Sequence, residues 1–355
     1  MHPWIFRGAF APIIALILCG CSEIAYYAQA MDGQTDLLNR RRPIATLVTD
    51  PHTPAQLRTQ LDTIVAMRKF AVHDLLLPDS ASYRSYADLH RPYVVKNVFV
   101  APELSLTPQP WCFPIAGCVG YRGYFDDRAA EQLAEQWRRK GYDVFVAAIP
   151  AYSTLGWFDD PVLNTFVGWP SGLIAELIFH ELAHQRLYVT GDTVFNESFA
   201  TSVGRLGAER WLADRPADQA VYLRYRRYTE DFANLVMPIR DKLAILYASP
   251  QPDTVKRSEK QRLLASLDGR YQALKTGAWQ GFSGYDRWFE GGFNNAKFAA
   301  MNAYTHYLSA FIALFHANGD DFAAFYQATA ALAELPQAER DRRLQTLSPN
   351  GANSS

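Results

Sequence analysis

Apolar residues return every three or four positions over most of this chain, and only a few short stretches break that rhythm. From Thr53 to Leu77 the residues Leu57, Leu61, Ile64, Met67, Phe70, Val72 and Leu75 keep helical spacing, and Ile24 to Leu38 also reads as a helix. Tyr93–Val100 and Asp143–Ile149 are instead rich in β-branched and aromatic residues, which predicts strands. Between them an amphipathic helix is expected from about Arg128 to Lys140, with Gly141 as its stop. Beyond residue 170 helical periodicity takes over, around 172–189, 197–214, 217–248, 257–275 and 296–317, with one or two further helices in 320–346. This order predicts an α+β, predominantly helical fold in a single domain over 21–347. A lobe of about 21–165 would carry a small N-terminal mixed sheet, a lobe of about 166–347 would be helical, and 348–355 would be a flexible tail.

Composition narrows the function classes. The 355 residues are 49% hydrophobic and 20% charged, enough apolar material for a large core and too little charge for a disordered chain. With 35 Lys+Arg against 36 Asp+Glu the formal charge is -1, and the clusters Arg40-Arg41-Arg42 and Arg224-Tyr225-Arg226-Arg227 are short and isolated. A duplex binder needs a broader positive face, so no nucleic-acid partner is expected.

The four cysteines fall into two pairs. Arg7 and the apolar run Ala9–Leu18 are shaped like a signal-peptide core, too short to span a bilayer. The run ends in Leu18-Cys19-Gly20-Cys21, which resembles the bacterial lipobox. That resemblance implies a signal peptide over 1–20, acylation of Cys21 as the new N-terminus, and a stable lipid anchor in the membrane. Ser22 rather than Asp after the cysteine implies a place in the bacterial cell envelope, on the outer membrane facing the periplasm. An ordinary signal peptide or an anchoring helix is the alternative. Cys112 and Cys118 close the loop Trp111-Cys-Phe-Pro-Ile-Ala-Gly-Cys118. In an exported chain a disulfide is expected there, contributing roughly 2 kcal/mol by loop entropy.

The chemistry concentrates at residues 180–184, His-Glu-Leu-Ala-His. On a helix, His180 and His184 project from one face and can offer two imidazoles to one ion, with Glu181 beside the first and within reach of a water. A hydrogen-bonded core pair of histidines is the structural alternative. One Zn2+ per chain is expected, and a catalytic zinc takes a third protein ligand. Metzincin spacing would need histidine at Thr190 and glycine at Leu187, which excludes that subclass. The segment Phe195-Asn-Glu-Ser-Phe-Ala200 is similar to the Asn-Glu-x-Phe-Ala motif of zinc aminopeptidases, and the resemblance puts Glu197 in the ligand position, ahead of the rivals Asp192 and Glu209. Only twelve residues lie between His184 and Glu197, so the connection must be a tight turn, with Glu197 starting the second helix near its positive dipole end.

Together, the loop at 112–118, Tyr121-Arg-Gly-Tyr-Phe125, Gly156-Trp-Phe-Asp-Asp-Pro161, the His-Glu-Leu-Ala-His helix, Phe195–Ala200 and Phe293-Asn-Asn-Ala-Lys297 resemble a bacterial family classed as zinc aminopeptidases. The resemblance implies a gluzincin-like zincin acting on a peptide substrate. Its metal ligands would be His180, His184 and Glu197, its general base Glu181. Such enzymes place a Tyr or His to steady the oxyanion; Tyr304 is the first candidate, followed by His306 and Tyr307. Tyr121–Phe125 and Ala148–Trp157 would supply the pocket wall, with Trp157, Asp159 and Asp160 as turn residues. The Gly-x-Met-Glu-Asn motif that large zinc aminopeptidases use to hold a substrate N-terminus is missing. An envelope endopeptidase, a peptidoglycan amidase or a non-catalytic zinc-bearing scaffold lipoprotein are therefore the competing expectations.

Overall fold

Helix dominates, as the periodicity predicts. The computed structural model describes residues 10–113, 117–151, 154, 158–302 and 307–347. The first element, α1 (Phe10–Asn39), begins well before Ile24 and takes in the apolar sequence that ends at Leu18. It is followed by β1 (Arg42–Pro43), α2 (Ile44–Thr49), α3 (Ala55–His73), β2 (Ser85–Ala87) and β3 (Val95–Ala101). Next come β4 (Trp111–Phe113), β5 (Gly117–Val119), β6 (Tyr121–Tyr124), α4 (Asp127–Arg139), β7 (Asp143–Ile149) and β8 (Val162–Leu163). The remainder is helical: α5 (Ser171–Arg186), α6 (Thr193–Leu212), α7 (Pro216–Ala248), α8 (Asp253–Thr276), α9 (Asp286–Phe289), α10 (Asn295–Asn302), α11 (Leu308–Ala317), α12 (Phe322–Ala333) and α13 (Gln337–Leu347).

Two of the expected strands find each other. β7 forms over the predicted residues and pairs antiparallel with β3, which pairs antiparallel with β6 on its other side. A second sheet, β1-β2-β8, joins one antiparallel and one parallel pair, and β4-β5 is a separate hairpin. The expected single mixed sheet is thus three small units, and only β1-β2-β8 is mixed.

Strand alternation gives the β6-β3-β7 sheet two different faces. Val98 and Val100 pack with Ala130 and Ala134 of α4, a helix capped by the Asp126 carboxylate and followed by Gly141 at φ +80. Phe99 and Ala101 pack on the opposite face with Ala296 and Ala300 of α10. The motif at 293–297 fixes that docking. Asn294 Nδ2 donates to the Val144 carbonyl at 3.0 Å, and the Asn295 backbone N–H donates to the Asp143 carboxylate at 2.9 Å. The helix expected over 296–317 is two helices, α10 and α11, with 303–306 outside the described residues.

The largest buried cluster runs from Leu37 to Leu344 and gathers α2, α3, α5, α6, α11 and α12, so the seam expected near residue 165 is crossed by one core. At its centre α5 and α6 pack as an antiparallel pair. Small residues let the backbones meet: a Cβ on Gly204 would sit 2.6 Å from the Glu176 carbonyl oxygen and 3.2 Å from the His180 Cβ. One on Gly207 would sit 2.8 Å from the Phe179 ring. Gly204→Ala therefore has to push α6 away from α5, and overpacking of this kind costs about 1–3 kcal/mol. Denaturant titration should show the unfolding free energy fall by that amount, as a lower midpoint with an unchanged slope; an unaltered midpoint would mean that the two helices can part freely.

A candidate metal centre between two helices

α5 starts at Ser171 after Pro170 and carries His180 and His184 four positions apart. It ends where Leu187 turns extended, and Gly191 at φ +83 takes the chain round. The Asn196 side chain clamps this connection from both sides: its Oδ1 accepts from the Val189 N–H at 2.8 Å and its Nδ2 donates to the Val189 carbonyl at 2.7 Å. Asp192 caps α6 by accepting from the Phe195 N–H at 3.0 Å. Its carboxylate also takes a buried ion pair from Arg340 at 2.5 Å. Asp192 thus belongs to the turn, and Glu209, paired with Arg226 at 3.1 Å, belongs to the outer surface of α6. Neither rival joins the histidines.

Glu197 does. His180 Nε2 and His184 Nε2 lie 3.1 Å apart, and Glu197 Oε2 lies 3.3 Å from the first and 3.8 Å from the second. An ion with tetrahedral bonds of 2.0–2.2 Å separates its donors by about 3.3 Å. The triangle therefore has the size that one zinc ion requires, and two imidazoles with one carboxylate are a donor set suited to it. Among the described residues this is the group of His, Cys, Asp or Glu side chains close enough together to hold a metal. The sequence expectation on Glu197 needs one correction. α6 begins at Thr193, so Glu197 sits in its second turn, where the dipole has faded. Its charge is favoured by its neighbours instead. Burial alone would push the Glu197 carboxyl up, but the two bonded imidazoles outweigh burial and hold it well below the usual carboxylate range. Burial likewise opposes charge on His180, and the carboxylates of Glu197, Glu181 and Glu176 outweigh it and raise that imidazole. Thr201 Oγ1 lies 3.4 Å from His180 Nδ1 and steadies the outer side of the ring.

Glu181 is buried and opens with the triad onto one cavity of about 320 Å³. Val95 and Asn97 of β3, Tyr121 and Gly123 of β6, Phe125, and Ile149 and Ala151 at the end of β7 form the sheet-side wall. Parts of the two segments expected as pocket wall thus line it, while 152, 153 and 155–157, Trp157 among them, lie outside the described residues. Asp160 is a turn residue, accepting from both the N–H and the hydroxyl of Thr154 at 2.9 Å. Phe113 and Val119 of the β4-β5 hairpin close another side. The disulfide between Cys112 and Cys118 joins directly opposed positions of that hairpin and braces it.

Tyr304 and His306 lie outside the described residues. Tyr307 turns away from the cavity, its phenol pushed up to about 12 by burial and by Asp341, and its N–H donates to Ser198 Oγ at 3.1 Å. Tyr26, Tyr121 and Tyr188 line the site; Tyr121 comes from the segment expected as pocket wall, and the oxyanion candidates read from the sequence include neither Tyr121 nor Tyr188. Burial, then the Glu197 carboxylate, raises both phenols, so both keep their protons as hydrogen-bond donors. Tyr188 lies just past the end of α5, in the extended segment that starts at Leu187, with its ring centroid 6.3 Å from that of His184. Tyr121 is brought in by the sheet, within the segment expected as pocket wall.

No curated protein and no solved structure matches the chain. A family model described as "Putative aminopeptidase" matches residues 25–344, which takes in the sheet, the disulfide hairpin and the whole α5–α6 site, and the chain belongs to that family.

Proposed function

We propose that this protein is a gluzincin-like zinc aminopeptidase, held in the bacterial cell envelope by a lipid on Cys21. The observation that carries the catalytic reading is the convergence of His180, His184 and Glu197 beside Glu181 in one cavity. The three would hold one zinc ion. When bound, that ion supplies Lewis-acid polarisation of a carbonyl and acidifies a water. The protein's own residues do the rest. Glu181 takes a proton from the attacking water and returns it to the leaving amine. Tyr121 and Tyr188 offer protonated phenols where negative charge develops on the carbonyl oxygen. Asn97, near the middle of β3, and the wall from Tyr121 to Phe125 provide polar and backbone groups for an extended peptide.

One observation favours a second reading, an envelope endopeptidase or amidase. Among the described residues no carboxylate other than Glu181 and Glu197 lines the cavity, whereas gripping a free substrate amine calls for another. A panel of free and N-blocked peptides separates the two. The aminopeptidase reading expects turnover of free N-termini alone, and cleavage of blocked peptides at comparable kcat/KM moves the protein to the second class.

Two variants test the site itself. Glu197→Ala should weaken zinc binding by more than the ~10–100-fold typical of residues that merely support a ligand, measured by competition with a chromophoric chelator. Unchanged affinity removes Glu197 from the ligand set. Glu181→Gln should keep one zinc per chain and lose about 10²–10⁴-fold in kcat. If that variant turned peptides over at the normal rate, Glu181 would not be the base.

A further inference from the structure

The two long faces of α1 do different things. The inward face is pressed onto β6 and the site: Tyr26 and Ala30 line the same cavity as His180, Glu181 and Glu197. Gln29 Oε1 accepts from the N–H groups of Phe125 at 2.9 Å and Asp126 at 3.3 Å. Gly33 lies so close to Phe125 that a Cβ would come within 2.1 Å of its ring, and Arg122 stacks on Tyr26 while pairing with Glu23 at 3.0 Å. α1 is therefore a fixed wall of the site.

Its outward face carries an apolar strip that the fold leaves uncovered. Ile24 is 71% exposed, Tyr27 41% and Met31 70%, at spacings of three and four residues that stack them on one side. Three of the nine large exposed hydrophobic residues in the described protein thus fall within eight positions of one helix. From Asp32 onward the exposed positions become polar: Asp32, Thr35, Asp36 and Asn39. Towards the N-terminus the sequence of α1 is apolar over Phe10–Leu18, and Cys21 stands three residues before Ile24.

We propose that this strip lies in the surface of a lipid bilayer, which holds the metal cavity beside the membrane, where it acts on peptides tethered to it or lying along it. The inference rests on the lipid-anchored hydrolase reading above and adds its substrate class. A lipid surface is the occupant that the pattern fits. The strip begins one helical turn after Cys21, the residue that the lipobox would acylate, and about 15 Å separates Cys21 from Met31; the exposed acid within that stretch, Glu23, is paired with Arg122, and the exposed positions beyond Met31 are polar. An acyl anchor and an amphipathic helix are two independent membrane signals that reinforce each other. Because the opposite face of the same helix is the cavity wall, roughly one helix diameter, about 10–12 Å, separates the lipid from the site.

The test uses the lipidated protein on vesicles of phosphatidylethanolamine and phosphatidylglycerol, with nitroxide labels on Ile24→Cys, Met31→Cys, Thr35→Cys or Asn39→Cys. The labels at 24 and 31 should be several-fold more accessible to oxygen, relative to a water-soluble nickel complex, than those at 35 and 39. A flat profile overturns the proposal, as does dipolar broadening between labels, which would put a second copy on the strip. The readout needs neither metal nor turnover, so its failure leaves the hydrolase reading intact, while a fully active Glu181→Gln would sink that reading and leave only the membrane contact of α1 standing. Ile24→Asp combined with Met31→Asp should hydrolyse soluble peptide within about twofold of the parent and lose at least about tenfold on the same peptide tethered to vesicle lipid. Equal loss on both substrates contradicts the proposed role.

Discussion

Gly204 brings the α6 backbone to within 2.6 Å, from a would-be Cβ, of the Glu176 carbonyl oxygen on α5, and every distance in the metal centre follows from that approach. Two ordinary helices separated by full side chains would leave Glu197 too far from His180 and His184 to share an ion. With the glycine in place the three donor atoms lie within 4.8 Å of one another. The Asn196 clamp on Val189 and the buried Asp192–Arg340 pair then fix where α6 begins, which sets the turn of helix on which Glu197 faces the histidines. A buried pair such as this is costly to break from one side, because the orphaned charge stays buried. Arg340 belongs to α13, so the C-terminal helix holds a turn whose ends are far away in sequence.

The sheet contributes by closing the cavity. β3 is shared between β6 and β7, and its alternation sends Val98 and Val100 to α4 while Asn97 stays on the other side, facing the site. The disulfide hairpin and α1 complete the wall. The site therefore draws on distant parts of the chain, and a strong coupling between its shape and global stability is built in.

Much of this was legible in the sequence where the signal is local. Period 3.6 located α3, α5, α7 and α8, and Asp143–Ile149 was marked as a strand by its β-branched and aromatic residues. The His180/His184 pair is readable because four-residue spacing on a helix means one face. α6 starts four residues before the expected 197, at the Asp192 cap. The division into lobes did not anticipate that α2 and α3 share a core with α5 and α6, because long-range packing leaves no periodic trace. Tyr121 is expected from the sequence only as part of the pocket wall, because β-pairing, and not spacing along the chain, carries it to Glu197. Gly204 and Gly207 carry no local signal of the close approach they permit, which depends on the facing helix.

The account stands or falls on whether His180, His184 and Glu197 together hold a metal. X-ray absorption at the zinc edge of the zinc-loaded protein tests this directly. It should show two imidazole nitrogens with carboxylate and solvent oxygens at about 2.0–2.2 Å and no sulfur, and the imidazole contribution should fall by half in His184→Ala. A first shell containing sulfur, or a spectrum unchanged by that substitution, would contradict it.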